Sequence, residues 1–414
     1  MAYRTIDVPQ DVSAVLETLW RAGYPAYVVG GCVRDSLLGR VPADWDICTA
    51  ATPDEMRAVF AGETLIATGE KHGTMTLVRC GVPYEITAFR SEGEYRDARH
   101  PECVRFGATL KEDLARRDFT VNALAFSPRD GLVDEFEGIA DLRAHLLRCV
   151  GQAEQRFAED ALRIARAARF VAQLGFSMEP ATERAAFAQC GMLSAVSPER
   201  VRAELERLLC GAYAGAALRM YGGLFAAVLP PLPAWTGDAV AACPDDLTTR
   251  LAVLVHACGE GFLYSLRFPG ETAFAAAAAA AYLNAPPDAS RESVRRTLHR
   301  LGVHGAQVYA AARAAVCAAK HDDAGTREAS AFWSAMRTAL AEGDCYSLAQ
   351  LQVNGTDVME AGVRPGRDVG RILSRLLDEV MRGILLNERS VLLARLRTMI
   401  QEESAEDEES ETVR

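Results

Sequence analysis

Tyr27 to Thr49, YVVGGCVRDSLLGRVPADWDICT, is the stretch around which the rest of this chain is arranged. Its apolar start, Tyr27-Val28-Val29, predicts a buried strand. The strand empties into Gly30 and Gly31, where the missing side chains let the backbone come close to a ligand. The following CVRDSLLG has helical spacing, so the glycine pair would lie at a helix N-terminus, whose free N–H groups favour a phosphate. Arg34 follows almost at once, and Asp44 and Asp46 stand two apart in DWDI. On a strand, residues i and i+2 share a face, so both carboxylates would enter one small volume. Two like charges held together are costly unless a cation neutralises them, and hard oxygen ligands suit magnesium. Singly, a glycine pair reads as a turn and an Asp-x-Asp as a loop or cap. Together in one short stretch they read as equipment for phosphoryl transfer.

Outward from this stretch, residues 9–22 (PQDVSAVLETLWRA) have helical spacing with Asp11 or Ser13 as caps, and Thr52-Pro53 opens a short second helix. Three short strands are expected near 64–68, 74–79 and 83–89, the last two paired antiparallel across Cys80-Gly81-Val82. The third places Glu85 where another carboxylate would reach the aspartate pair, though spacing equally allows a solvent-facing residue. Residues 91–105, SEGEYRDARHPECVR, read as a solvated polar loop of a kind that carries function when it lies beside a site. Arg116, Arg117, Asp118 and Asn122 then cluster at the start of an apolar run. They suit either a triphosphate and ribose or a structural salt-bridge cluster.

From about residue 151 strand signals nearly vanish. AEDALRIARAARFVAQLGF, from Ala158 to a stop at Gly175, predicts one amphipathic helix. Along it Asp160, Arg163, Arg166 and Arg169 recur every three residues, forming either an anion-binding edge or a solvated face. SPERVRAELERLL (197–209) is a second capped helix, with Arg200 and Glu204 set for an i,i+4 pair. Residues 211 to about 330 are alanine-rich and helical. His321-Asp322, without further partners at metal spacing, reads as surface. In 351–396 glycine turns alternate with amphipathic helices, and Arg364, Arg367, Arg371 and Arg375 suit either a phosphate backbone or a solvated face.

The 414 residues suffice for two to four domains with well-buried cores. Half are hydrophobic and about a quarter charged, an ordinary soluble composition. No apolar run is long enough to span a membrane and no leading segment has a signal-peptide pattern, so a cytoplasmic protein with no membrane partner is expected. Eleven cysteines are scattered without a CxxC pair, which predicts reduced, mostly buried thiols. The net charge of −11 owes much to the seven acids of residues 402–414, a stretch expected to be disordered. Nucleic-acid binding requires a basic surface, not a basic total, so the overall charge does not exclude it.

In this order, GGCVRDSLLGRVPADWDICT, TGEKHGTMTLV, YEITAFR, RRDFTVNALAF, EDALRIARAARF and SPERVRAEL resemble the class II tRNA nucleotidyltransferases, the CCA-adding enzymes, and their poly(A) polymerase relatives. The resemblance is dense over 25–205 and weaker over 351–396. It implies an α+β protein: a polymerase-β-like nucleotidyltransferase head with a small mixed sheet (1–150), then an all-helical neck (151–210), body (211–330) and tRNA-binding tail (331–400), with the acidic residues 401–414 beyond. It implies two Mg2+ ions on Asp44 and Asp46, with Glu85 as an additional active-site carboxylate. Gly30, Gly31 and Arg34 would meet the incoming triphosphate of CTP or ATP and Arg117 its phosphates, with Asp118 and Asn122 near the ribose. Asp160 and Arg163 would read the base, supported by Arg166 and Arg169, and Asp97 and Arg99 would belong to a flexible loop. The partner implied is the 3′ end of tRNA.

Base choice without a nucleic-acid template has a physical account. Cytosine and adenine both offer an amino donor beside a ring-nitrogen acceptor, which suits an Asp next to an Arg. Uracil and guanine present a carbonyl beside an N–H, leaving buried partners unpaired at about 1–3 kcal/mol each. Within the family the alternatives are a poly(A) polymerase, against which TGEKHGTMTLV lacks a basic Gly-Arg-Arg-Phe type of stretch, and an A-adding enzyme. From another class, a non-catalytic RNA-binding protein would have no physical reason to keep two repelling carboxylates.

Overall fold

A computed structural model describes residues 6–92 and 104–412. The chain forms two compact units, Met1–Pro231 with Ser265–Arg267, and Leu232–Tyr264 with Phe268–Arg414.

The first unit opens with α1 (Gln10–Arg21), whose Val12, Val15, Leu16 and Leu19 are buried at helical spacing. Neither Asp11 nor Ser13 caps it, and Pro9 takes the cap position instead. β1 (Ala26–Val29), buried along its whole length, leads into α2 (Gly31–Leu37). Next come β2 (Ile47–Thr49), α3 (Pro53–Val59), β3 (Thr64–Gly69), β4 (Thr74–Arg79) and β5 (Val82–Ala88). Thr52 and Glu55 close a capping box on α3, as the Thr-Pro signal predicts. Between β4 and β5, Cys80 (φ 52°) and Gly81 (φ 79°) both take positive φ, which matches the right-handed twist of a tight hairpin. A short pair, β6 (Arg90–Glu92) and β7 (Val104–Phe106), precedes α4 (Leu110–Ala115), β8 (Leu124–Ser127), β9 (Gly131–Asp134) and α5 (Gly138–Ala144).

Among the described residues the main sheet has seven strands in the order β3-β4-β5-β2-β1-β8-β9. Only β2 and β5 run parallel, so the sheet is mixed, as expected. Tyr27, Val29, Cys48, Phe89, Leu114, Ala123, Ala125 and Val150 pack into one cluster with β1 and β2 at its centre. The mid-sheet strands therefore fix where β1 ends and where Gly30 begins.

Helices follow. The continuous helix expected from Ala158 is two, α6 (Ala153–Glu159) and α7 (Leu162–Leu174). Asp160 causes the break: its backbone is extended and its carboxylate accepts the Leu162 N–H at 3.1 Å, competing with helix continuation. Gly175 ends α7 in the left-handed conformation, as predicted. α8 (Pro180–Gln189), α9 (Pro198–Leu209) and α10 (Ala214–Tyr221) complete this unit's long elements. On α9 the expected Arg200–Glu204 pair is replaced by partners on other elements: Arg200 pairs with Asp160 and Glu204 with Arg169.

The second unit contains α11 (Thr236–Ala242), α12 (Leu247–Cys258), the short α13 (Gly261–Ser265) at its boundary, α14 (Gly270–Asn284), α15 (Arg291–Ala319) and α16 (Asp323–Ala341). Tyr309 anchors it, edge-on to Phe332 at 5.2 Å and to Tyr282 at 5.8 Å. Asp322 of the His-Asp pair caps α16 through the Gly325 N–H. α17 (Gly355–Glu360), α18 (Arg367–Met381) and α19 (Arg389–Thr412) share a separate core around Val358, Leu376, Leu392 and Leu396. Of the four arginines singled out here, Arg371 pairs with Asp368 and Arg375 with Glu379 and Glu402. Arg364 and Arg367 are exposed. The acidic stretch expected to be disordered is helical backbone through Thr412, its Glu and Ala residues being good helix formers.

One close approach ties α5 to the rest of the first unit: a Cβ on Gly138 would lie 2.3 Å from the Thr120 carbonyl oxygen. Gly138→Ala is expected to destabilise this unit by about 1–3 kcal/mol. Gly191→Ala, with nothing within 4 Å, serves as the control. An unchanged melting midpoint for Gly138→Ala would contradict the contact.

Candidate active site

Gly30 sits at φ 82°, ψ −124°, where a side chain would be strained, and a Cβ there would stand 3.1 Å from Nη1 of Arg117. The glycine thus lets an arginine lie against the turn. Gly31 begins α2, and a Cβ on it would be 3.7 Å from Nη2 of Arg34.

Asp44 and Asp46 lie in the loop just before β2 and not on the strand itself. Asp46 nevertheless already behaves as a ladder residue, its carbonyl accepting the Val29 N–H at 3.0 Å. The lost hydration around it raises the pKa of Asp46, and the charges of Asp44 and Glu85 add to this, with Arg117 opposing them. Asp46 itself is exposed at the surface. Asp44 and Glu85 are exposed. Three carboxylates therefore share one field, although among the described residues no three His, Cys, Asp or Glu side chains converge closely enough to form a ready-made metal cage.

Behind the glycines lies an ionic network. Asp118 is buried. One oxygen accepts from the Phe119 N–H at 2.8 Å and from Asn122 Nδ2 at 3.0 Å, and the other accepts from Arg166 Nε at 2.8 Å and Nη2 at 2.5 Å. Burial alone would raise its pKa, but Arg166 and these hydrogen bonds outweigh burial and hold it at about 2. Asn122, in the 3-10 turn Thr120–Asn122, turns its Oδ1 to Arg34 Nη1 at 2.6 Å. Arg34 also donates to Asp35 at 2.9 Å. The ring of Phe170 lies among three cations, Arg34, Arg166 and Arg169, at 5.2, 5.5 and 4.0 Å from its centroid.

The evenly spaced charges near α7 do not form one edge. Arg163 is buried and donates to Glu159 at 2.7 Å and to the carbonyls of Arg156 and Arg116, each at 2.9 Å. Asp160 accepts from Arg200 at 2.9 Å. Arg169 is buried against Glu204, with Nε and Oε2 3.0 Å apart but not aligned as a hydrogen bond. Burial lowers its pKa to about 10. Only Arg166 keeps a sizeable exposed share, about a third of its side chain. Asp97 and Arg99 lie outside the described residues.

Sequence spacing missed Phe170, which reads as a core residue, and Glu204 and Arg200, whose partners are distant in sequence. It also missed Asp113, although an Asp four residues before Arg117 was a visible signal. Asp118→Ala leaves Arg166 without its carboxylate and is expected to cost about 3–5 kcal/mol. The lowered pKa of Asp118 means that its contribution is present above the ordinary carboxylate value and is lost as pH falls from about 4 towards 2, a loss of about 2 kcal/mol. Urea unfolding from pH 7 to 2.5 checks this. Wild type should shed that share of stability and Asp118→Asn should not, and parallel curves would contradict the ionised assignment.

Comparison with known proteins bears on this geometry. Residues 26–148 match the family described as "Poly A polymerase head domain", 175–235 the one described as "Probable RNA and SrmB- binding site of polymerase A", and 249–396 the one described as "tRNA nucleotidyltransferase domain 2 putative". The CCA-adding enzyme of Geobacillus thermodenitrificans is 37% identical over 395 residues, which cover 92% of this chain and 93% of that one. The crystal structure of the Bacillus stearothermophilus CCA-adding enzyme in complex with CTP superposes with a TM-score of 0.78 at 33% identity, covering 96% of this chain and 98% of that one. The Thermotoga maritima CCA-adding enzyme complexed with tRNA shares the fold, with a TM-score of 0.67 at 21% identity over 97% of this chain and 100% of that one. The polymerase-β-like head, the helices after it and this near full-length identity agree: the chain is a nucleotidyltransferase and belongs to the family of CCA-adding enzymes.

Proposed function

We propose that this protein adds CCA to the 3′ end of tRNA from CTP and ATP, without a nucleic-acid template. One juxtaposition carries the reading: the carboxylates of Asp44, Asp46 and Glu85 share a field with Arg117, which lies against Gly30, in a chain that matches a CCA-adding enzyme over 92% of its length. No helix among the described residues is long and apolar enough to cross a membrane. With its free thiols, this supports a cytoplasmic enzyme.

The donor set fits magnesium. Asp46 is crowded by two like charges, its oxygens are hard ligands, and nucleotide phosphates complete the shell of an ion held by one or two carboxylates. Asp44 and Asp46 would hold two such ions, which when bound activate the primer hydroxyl and neutralise charge on the triphosphate. The chain's own residues supply the rest. Arg117, stationed against the glycine turn, binds phosphate. Arg34 and Asn122 brace each other beside it, and Asp118 is held ionised by Arg166, so this wall is set before the nucleotide arrives. Asp160 and Arg163 select the base by exchanging the partners they hold without nucleotide, Arg200 for Asp160 and Glu159 for Arg163, for an amino group and a ring nitrogen, which cytosine and adenine offer and uracil and guanine do not.

Incubating purified protein with magnesium and tRNA ending at the discriminator base, or in CC, separates the family's activities. Addition of CCA followed by a stop is expected. Extension of the CC-ended substrate alone would instead mean an A-adding enzyme, and unlimited A addition to unrelated RNA a poly(A) polymerase. Asp44→Ala is expected to cut transfer by about three orders of magnitude with the melting midpoint unchanged, several kcal/mol of charge stabilisation being lost. Normal turnover would remove the metal assignment. Arg163→Ala is expected to narrow discrimination against UTP and GTP by about tenfold or more. Because it strips two carbonyls of their donor, it should also lower stability. Unchanged selectivity in a folded variant would count against base reading by Arg163.

A further inference from the structure

Asp113 has no exposed surface, yet it is a carboxylate on a helix of six residues. A buried charge of this kind is costly unless cations surround it. Here the cations are Arg116 and Arg117. Oδ1 accepts from Arg116 Nε at 2.9 Å and Nη2 at 2.8 Å, and Oδ2 accepts from Arg117 Nη2 at 3.4 Å. The backbone N–H of Arg90 adds a third approach at 3.4 Å. The helix that carries Asp113 is itself fixed. Thr109 and Glu112 close a capping box at its start, and the carbonyls of Ala115 and Arg116 at its end accept from Arg156 and Arg163.

Arg117 is the member of this cluster that faces the site. Its Nη1 lies against Gly30, its charge reaches Asp46, and its buried Nε has no hydrogen-bond partner among the described residues. Arginine has a long stem with many rotamers, and a guanidinium held at one edge by a carboxylate gives up much of that freedom before a ligand arrives. We propose that Asp113 is a positioning residue for nucleotide binding, holding Arg117 in the orientation that meets the phosphates of CTP and ATP. The residue touches no substrate. It acts on both nucleotides alike, because phosphates and not bases are involved. This rests on the reading of the site as a nucleotidyltransferase centre.

The test is a double-mutant cycle of Asp113→Asn, Arg117→Ala and the pair, with two readouts: equilibrium binding of CTP and ATP in the presence of magnesium, and steady-state transfer to tRNA. Asp113→Asn should weaken binding and raise KM for both nucleotides by about tenfold, with kcat changed less. The double variant should be no worse than Arg117→Ala, since Asp113 acts through Arg117. Additive losses, or unchanged binding by Asp113→Asn where Arg117→Ala is impaired, would overturn the proposal. If Asp113→Asn fails to fold, Asp113→Glu keeps the charge and displaces it by one methylene. It should show a smaller rise of the same kind, and wild-type binding by a folded Asp113→Glu together with wild-type KM would also overturn the assignment. A wild type that binds nucleotides without transferring them to tRNA would refute the functional reading and leave the binding cycle to decide the role of Asp113.

Discussion

The buried carboxylate of Asp118 is the constraint on which the site depends. An ionised group without solvent must be satisfied from all sides, and Asp118 draws its donors from separated segments: its own turn through Phe119 and Asn122, and the neck helix through Arg166. Asn122 passes the restraint on to Arg34 on the helix after the glycine turn. A chain of short hydrogen bonds thus fixes the sheet end, the glycine pair and the neck helix relative to one another within one unit. On the proposed reading of the site this is preorganisation for catalysis, since groups that would meet a triphosphate need not be ordered when it binds.

The network is built from arginine. Of 45 basic residues only Lys71, Lys111 and Lys320 are lysines. Asp118, Asp113 and Asp344 each take two N–H groups of one guanidinium, a forked contact that a point-like ammonium would not reproduce, and Glu159 takes a donor from each of Arg156 and Arg163. Arginine also keeps its charge when buried: Arg169 remains cationic at neutral pH with its pKa lowered to about 10. The same residues that give the chain a negative total, the acids, are largely the partners that hold these arginines in place. Overall charge is accordingly a poor guide to the local field at the glycine turn.

Much of this was legible in the sequence where the signal is local. The glycine pair after an apolar run, the Thr-Pro helix start, the hairpin at Cys80-Gly81 and the stop at Gly175 each follow from backbone chemistry confined to a few residues. The order of motifs also gave the family. What was not legible depends on partners far apart in the chain. A three-residue spacing on a helix does not show that Asp160 breaks the helix, that Arg200 holds it from another element, or that Arg163 faces carbonyls. Spacing put Asp44 and Asp46 on a strand. Asp46 lies one residue before β2 and Asp44 three, with the Asp46 carbonyl joining the ladder by accepting the Val29 N–H. Arg116, Arg117, Asp118 and Asn122 admitted a ligand-binding and a structural reading. Asp118 and Asn122 are plainly bound up in structure, whereas the Nε of Arg117 has no hydrogen-bond partner among the described residues.

The central claim is that one set of protein side chains, already braced, receives both nucleotides. Crystal structures of this protein with CTP and with ATP test it most directly. The account predicts that the amino groups of both bases donate to Asp160, that their ring nitrogens accept from Arg163, and that the Arg34–Asn122–Asp118–Arg166 chain is unchanged between the two. Bases contacting different residues in the two complexes, or a network rebuilt on binding, would contradict it.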